Sequence, residues 1–277
     1  MKQKFTILLL IVCFSCFSAL AQNKTPGTDS SFVLVKTYTG DIADAVMDNL
    51  DNLYLISSTG QIRKYNANGD SVAIYSQARN FGKLFSIDVT NPLQPLLFYK
   101  DYSTVVLLDR FLANRTSIDL RKYSILQPGA VGISYDNNIW VYDEWDNKLK
   151  KINESGNLLL STVDFRTAFN EPVRPQKIID NNTLVYLADT ATGVFVFDNY
   201  GTYKKKIAAK NWQSIAVKDN YIISTNATSI GVYNTQTFMD TRRMLPGYFE
   251  PALRSFSTAT RFVNFSNASL YIYTYRF

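Results

Sequence analysis

Six four-stranded antiparallel units closed into a ring, an all-β fold, are what this 277-residue sequence predicts. Three observations predict it. A unit of strand, turn, strand, turn and strand recurs with one grammar. The turns that punctuate it are rich in Asn, Asp and Gly. The strand stretches are four to eight residues long and often apolar on both faces, as in Val105-Val106-Leu107-Leu108 and Tyr221-Ile222-Ile223. Polar turns of this kind supply the positive φ of tight hairpins. Strands apolar on both faces need sheets stacked on either side.

The first element along the chain is a targeting segment. Lys2 and Lys4 precede an almost wholly apolar run from Phe5 to Phe17, and Ser18-Ala19-Leu20-Ala21 ends in the small-x-small pattern of a signal peptidase site. Cleavage is expected after Ala21, and the run is short for a membrane span. Ser15-Cys16 loosely resembles a lipobox, so a lipoprotein anchored at Cys16 is the rival reading. The Phe17-to-Gln22 ending resembles signal peptides of the Bacteroidetes. Residues 1–21 are thus read as leader, 22–31 as a flexible segment and 32–277 as one domain.

Removing the leader leaves 256 residues with no cysteine or histidine, 27 basic and 23 acidic side chains. Such a mild, scattered charge gives nucleic acid no stripe to bind. Without disulfides, stability must come from a large core.

The repeats supply that core. The clearest unit runs from Ile139 to Leu158, a second from Leu184 to Tyr203 aligns with it turn for turn, and an earlier one begins at Leu53 and turns at Gly60 and Gly69. The second-turn glycines at 69, 156 and 201 fit a period near 44 with one intervening copy at Leu96 to Leu120. About 44 residues for four strands is the spacing of a β-propeller blade. Six blades follow, at about 41–76, 77–125, 126–165, 166–209, 210–247 and 248–277. The last is one strand short, and Phe32–Tyr38 is expected to supply its outer strand and close the ring.

The units around Val141-Tyr142-Asp143 to Gly156 and Leu187-Ala188-Asp189 to Gly201 resemble NHL-type propeller repeats. They share the Asp after the second strand, the polar turn, the apolar strand and the Gly-containing second turn. The resemblance implies a six-bladed propeller with binding surfaces at its two ends and no single activity. Blade two departs from it at Asn91-Pro92-Leu93-Gln94-Pro95, and blade five at Thr235-Gln236-Thr237, where Gly is expected. A rival all-β reading comes from the chain end, Leu270 to Phe277, which resembles the terminal strand of an outer-membrane barrel. Barrel strands of about 9–11 residues with one apolar face do not fit the short doubly apolar strands here.

Without His or Cys, the mature chain holds no Ser-His-Asp triad, Cys nucleophile, His general base or His/Cys zinc site. No cofactor is expected. A calcium-dependent lactonase of the gluconolactonase sort stays open, with Asp143, Asp146, Asp189 and Glu171 as candidate ligands, although these stand where turns need them. Binding is the expectation. In a propeller the loops joining blades and those between second and third strands share one face. Here they carry Arg79, Lys83, Asp143, Trp145, Arg174, Asp189, Lys210 and Trp212, together with Phe81, Tyr248 and Phe249. Aromatic and Arg side chains are the types that anchor protein interfaces. Trp145, in a turn between charged residues, is the first choice.

Three functions remain. One is a non-catalytic exported propeller docked on another cell-envelope protein, as an accessory or scaffold subunit of an outer-membrane-associated complex and peripheral to the membrane at most. The second is a calcium-dependent carboxylate hydrolase, which needs carboxylates converging in the channel. The third binds carbohydrate or peptide on coplanar rings such as Trp145 and Trp212.

Overall fold

The computed structural model describes residues 31–76, 81–249, 254–258 and 260–275; the leader and residues 22–30 lie outside the described residues. Short β-branched and aromatic strands divided by Asx and Gly turns bury both faces by stacking sheet on sheet. Blade one is β2 (Asp44–Met47), β3 (Leu53–Ile56), β4 (Ile62–Tyr65) and β5 (Ser71–Tyr75). Blade two is β6 (Ser86–Asp88), β7 (Leu96–Tyr99), β8 (Thr104–Leu108) and β9 (Asn114–Asp119). Blade three is β10 (Pro128–Ile133), β11 (Ile139–Asp143), β12 (Lys148–Ile152) and β13 (Leu158–Ser161). Blade four is β14 (Lys177–Asn181), β15 (Leu184–Asp189), β16 (Gly193–Asp198) and β17 (Tyr203–Ile207). Blade five is β18 (Ser214–Lys218), β19 (Tyr221–Thr225), β20 (Ser229–Asn234) and β21 (Asp240–Met244). Blade six is β22 (Arg254–Ser257), β23 (Arg261–Phe265), β24 (Ser269–Tyr275) and, from the other end of the chain, β1 (Phe32–Thr39).

The result is a six-bladed β-propeller with the blade limits read from the repeats. Its core is divided, and six apolar clusters each lie between two adjacent blades. One joins Phe98 and Val105 of blade two to Val131 and Ile139 of blade three. Another joins Trp140 and Tyr142 of blade three to Val185 and Phe195 of blade four. Each blade therefore packs on two neighbours, which is why its strands are apolar on both faces. The first strands of the blades line the ring axis, where they crowd. A β-carbon on Gly132 of β10 would stand 2.6 Å from the Ile178 carbonyl oxygen of β14.

Chain from both termini closes the ring. β1 pairs antiparallel with β24 from Phe32↔Tyr275 to Thr39↔Ser269, with a register shift between Leu34 and Lys36. The barrel reading of the chain end is corrected here. β24 is the third strand of a blade, with a neighbour on each side.

The turn between third and fourth strands follows one plan in five blades, with one residue more in blade five than in blades one to four. An Asx residue opens it and accepts, at its carbonyl, the N–H of a left-handed residue: Asn66 and Gly69, Asp109 and Leu112, Asn153 and Gly156, Asp198 and Gly201, Asn234 and Phe238. Glycine adopts this conformation at no steric cost. In blades two and five a bulky side chain holds it instead, with φ of 61° at Leu112 and 60° at Phe238.

Candidate functional site

The blade-joining loops and the loops between second and third strands emerge together, on what we call the upper face. A cavity of about 740 Å³ opens there over blades six, one and two. Its walls include the Ser57–Gly60 turn, Lys83 and Phe85 from the loop between blades one and two, and Asp44, Arg254 and Phe265. Asp44 and Arg254 are the first residues of the innermost strands of blades one and six, and they form an ion pair. Arg254 Nη2 also donates to the Ala45 carbonyl at 3.0 Å, and its guanidinium lies 5.5 Å from the Phe265 ring centroid. Burial raises the Asp44 carboxyl above the usual carboxylate range; Arg254, the Ala45 N–H and Lys177 oppose the rise.

Lys177, the first residue of the innermost strand of blade four, faces the same ring axis and donates to the Ile215 carbonyl at 2.9 Å. Burial holds its ammonium below the usual lysine range; Asp88 opposes this, Arg254 adds to it, and Asp44 opposes it. Asp88 is pinned by the N–H groups of Ile133 and Thr90, each at 2.8 Å. Asp44, Arg254 and Lys177 thus stand where innermost strands begin, at the mouth of the ring, whereas Asp88 ends its innermost strand farther down the axis.

Phe85 gives the cavity an aromatic wall. Its ring meets Phe98 edge to face at 5.6 Å and carries the Lys100 ammonium 5.1 Å from its centroid. Ser57 Oγ stands 2.9 Å from Thr59 Oγ1 and accepts the Gln61 N–H, so this hydroxyl is engaged in holding the turn. The arrangement offers apolar walls, a cation at Lys83 and an ion pair: the elements of a binding cleft.

Of the residues singled out in the sequence, only Lys83 lines this cavity, and Arg79 lies outside the described residues. Trp145 sits exposed on the upper face, at 65% of its surface. Arg174 and Lys210 are exposed there too. Asp143 and Asp189 need correction, because neither presents a carboxylate to a partner. Asp143 is fully buried and accepts the N–H groups of Gln127 and Trp145 while pairing with Lys150 at 2.8 Å. Asp189 is 2% exposed and accepts the N–H groups of Arg174, Ala191 and Thr192. Each staples the loop arriving from the previous blade to its own turn. Trp212 is half-buried against the cluster between blades four and five, so it forms no platform with Trp145. Phe249 is buried, and Phe81 packs on Tyr99 at 5.3 Å.

The carboxylates considered for calcium are already engaged: Asp143 and Asp146 hold Lys150, and Glu171 pairs with Lys206. Among the described residues, no three or more His, Cys, Asp or Glu side chains group as metal ligands. The sequence reading missed Asp44, Phe85, Lys177 and Arg254. Aligning the blades exposes a signal: Asp44, Lys177 and Arg254 each open an innermost strand, while the corresponding residue is Ser86 in blade two, Pro128 in blade three and Ser214 in blade five.

Fold and site together define a six-bladed propeller with a cleft over its axis. Solved structures share that fold at low identity. The Pan2 WD40 domain of Neurospora crassa superposes with a TM-score of 0.62 at 10% identity, over 90% of this chain and 97% of that one. A Bacteroides fragilis protein taken to be exported gives 0.57 at 9%, over 90% and 97%. A catalytically inactive histidine-to-alanine variant of virginiamycin B lyase from Staphylococcus aureus, with quinupristin, gives 0.55 at 9%, over 87% and 99%. No protein-family model matches the sequence, and no curated protein matches it either.

Proposed function

We propose that this chain is an exported, non-catalytic propeller of NHL-like type that binds another cell-envelope protein through its upper face. The observation that carries the reading is the cavity at the ring mouth, open, partly apolar and edged by Lys83, Phe85 and the Asp44–Arg254 pair. The occupant that suits it is an extended segment with an apolar side chain for Phe85 and Phe265 and a carboxylate for Lys83. Exposed Trp145, Arg174 and Lys210 extend the contact over blades three to five.

Chemistry supports binding over catalysis. The lyase that shares the fold is inactive when a histidine becomes alanine, and this chain has no histidine at all. Among the described residues, Asp44 is held by Arg254 and Asp88 by backbone N–H groups, and no set of carboxylates converges for calcium. The leader-like start, and the shared fold of a Bacteroides protein taken to be exported, support the envelope as the compartment.

The test is a gentle-detergent pull-down from the source cells, paired with a photo-crosslinker at position 85. A stoichiometric envelope protein that copurifies, crosslinks at 85 and is lost with Lys83→Glu is the expected result. Recovery of a lone protein, or capture indifferent to Lys83 and Phe85, overturns the reading.

A further inference from the structure

The face that blade five turns to blade four stops being apolar at one row of residues. Ser224 of β19, Gly231 of β20 and Arg242 of β21 stand directly opposite one another. The row continues to Ile215 of β18, which lies in the cluster between blades four and five, so it faces blade four. A β-carbon on Gly231 would stand 2.9 Å from Ser224 Oγ and 3.8 Å from both Nε and Nη2 of Arg242. The Nε–Nη2 edge of the guanidinium therefore lies over Gly231, beside a gap that any other residue would fill.

This row, with Lys210 and Trp212 from the loop joining blades four and five, lines a pocket of about 10 Å³, room for one water-sized group. Its donors are unused. Trp212 Nε1 is buried without an acceptor. The side chains of Ser224, Lys210 and Arg242 make no hydrogen bond or ion pair among the described residues. The pocket's other hydroxyls are taken: Thr225 Oγ1 donates to Ser257 Oγ at 3.4 Å, and Ser229 Oγ to Asn226 Oδ1 at 3.0 Å. No lining residue is Asp or Glu, and Asp240, two residues before Arg242 on β21, is not paired with it. A buried N–H without an acceptor needs a reason in a folded protein. Here it shares a pocket with a free hydroxyl and two free cations.

We propose that this pocket between blades four and five is a carboxylate-binding subsite. A guanidinium edge presents two N–H groups side by side, which matches the two oxygens of a planar carboxylate. One oxygen enters the socket beside the Trp212 N–H and the Ser224 hydroxyl, the other stays on the Arg242 edge, and Lys210 adds a second positive charge at the rim. The subsite lies across the ring from the cavity of blades six, one and two. It is tested without any protein partner, so it stands or falls independently of the reading of that cavity.

The indole N–H of Trp212 reports on the pocket directly. The chain has 3 tryptophans, so a protein labelled with heavy nitrogen gives one indole signal each for Trp140, Trp145 and Trp212, the last assigned with Trp212→Phe. Sodium acetate, and a blocked peptide carrying a single Glu, are titrated against sodium chloride at equal ionic strength. The expected result is a saturable downfield shift of the Trp212 signal alone, with either carboxylate and not with chloride. Arg242→Gln is expected to weaken the response roughly tenfold, the loss of one charge-assisted contact. Its site is exposed, so its melting temperature is expected to match wild type. Tighter binding of the peptide than of acetate assigns the carboxylate to a protein chain, and equal binding assigns a free acid. A Trp212 signal that stays put means that a trapped water fills the socket, and it overturns the proposal. So does an equal shift with chloride or inorganic phosphate, or a full response by Arg242→Gln.

Discussion

Phe32 and Phe249, at opposite ends of the described chain, meet edge to face with ring centroids 5.1 Å apart. Phe32 also touches Phe262 at 5.3 Å and Tyr275 at 6.0 Å, and it is buried among them. It is the side chain by which the closing strand is held between blades five and six. Phe32→Ala is expected to cost about 3–5 kcal/mol, as large-to-small changes of buried aromatics do. Urea unfolding measures this, and a midpoint unchanged from wild type removes Phe32 from the closure.

Asp143 and Asp189 occupy matching places in blades three and four, but only Asp143 also carries a buried cation, Lys150, whose side chain is shared with Asp146 at 2.9 Å. Asp143→Ala leaves Lys150 short of its main partner and is expected to cost about 3–5 kcal/mol. Asp189→Ala strands only backbone N–H groups, at about 1–3 kcal/mol. Denaturation of the two variants side by side checks the order. Equal losses would mean that the lysine adds nothing.

Lys177 sets a slope of stability with pH. Burial depresses its pKa in the folded chain. Between the folded pKa and the unfolded value near 10.4, the unfolded chain binds more protons, so stability rises with pH. Lys177→Met abolishes that rise, and at neutral pH it is expected to be as stable as wild type or better by on the order of 1 kcal/mol. Urea midpoints taken from neutrality to about pH 10 should converge as pH rises. Parallel curves would assign the slope to other groups.

Gly132 tests the crowding at the axis. Gly132→Ala places a methyl group 2.6 Å from a backbone oxygen that cannot rotate away, and is expected to cost about 1–3 kcal/mol. Gly247→Ala, with nothing within 4 Å, is the control and should be neutral or slightly stabilising. Thermal melts of the pair decide it.

The blades were legible because their determinants are local. Asx-Gly turns at Gly69, Gly156 and Gly201 mark the hairpins, and doubly apolar runs such as Leu184–Leu187 mark strands with a blade on either side. The closing strand was legible by elimination, since the last blade lacked one. The cleft was not. Asp44 and Arg254 lie near opposite ends of the chain and become neighbours only when the ring shuts. The burial of Asp143 and Asp189 was hidden for a related reason. Their partners include the N–H groups of Gln127 and Arg174, which arrive from a preceding loop that local pattern does not place.

Closure by β1 has a further consequence for how the molecule comes into being. The strand that leaves the ribosome first is paired only with β24, so it is satisfied last. Until β24 is made, the Phe32-Val33-Leu34-Val35 stretch has no mate, while five blades can assemble behind it. A chain that lacks β24 keeps that edge bare. Of that stretch only Phe32 is buried by closure, so the arrival of β24 is what takes its ring out of water.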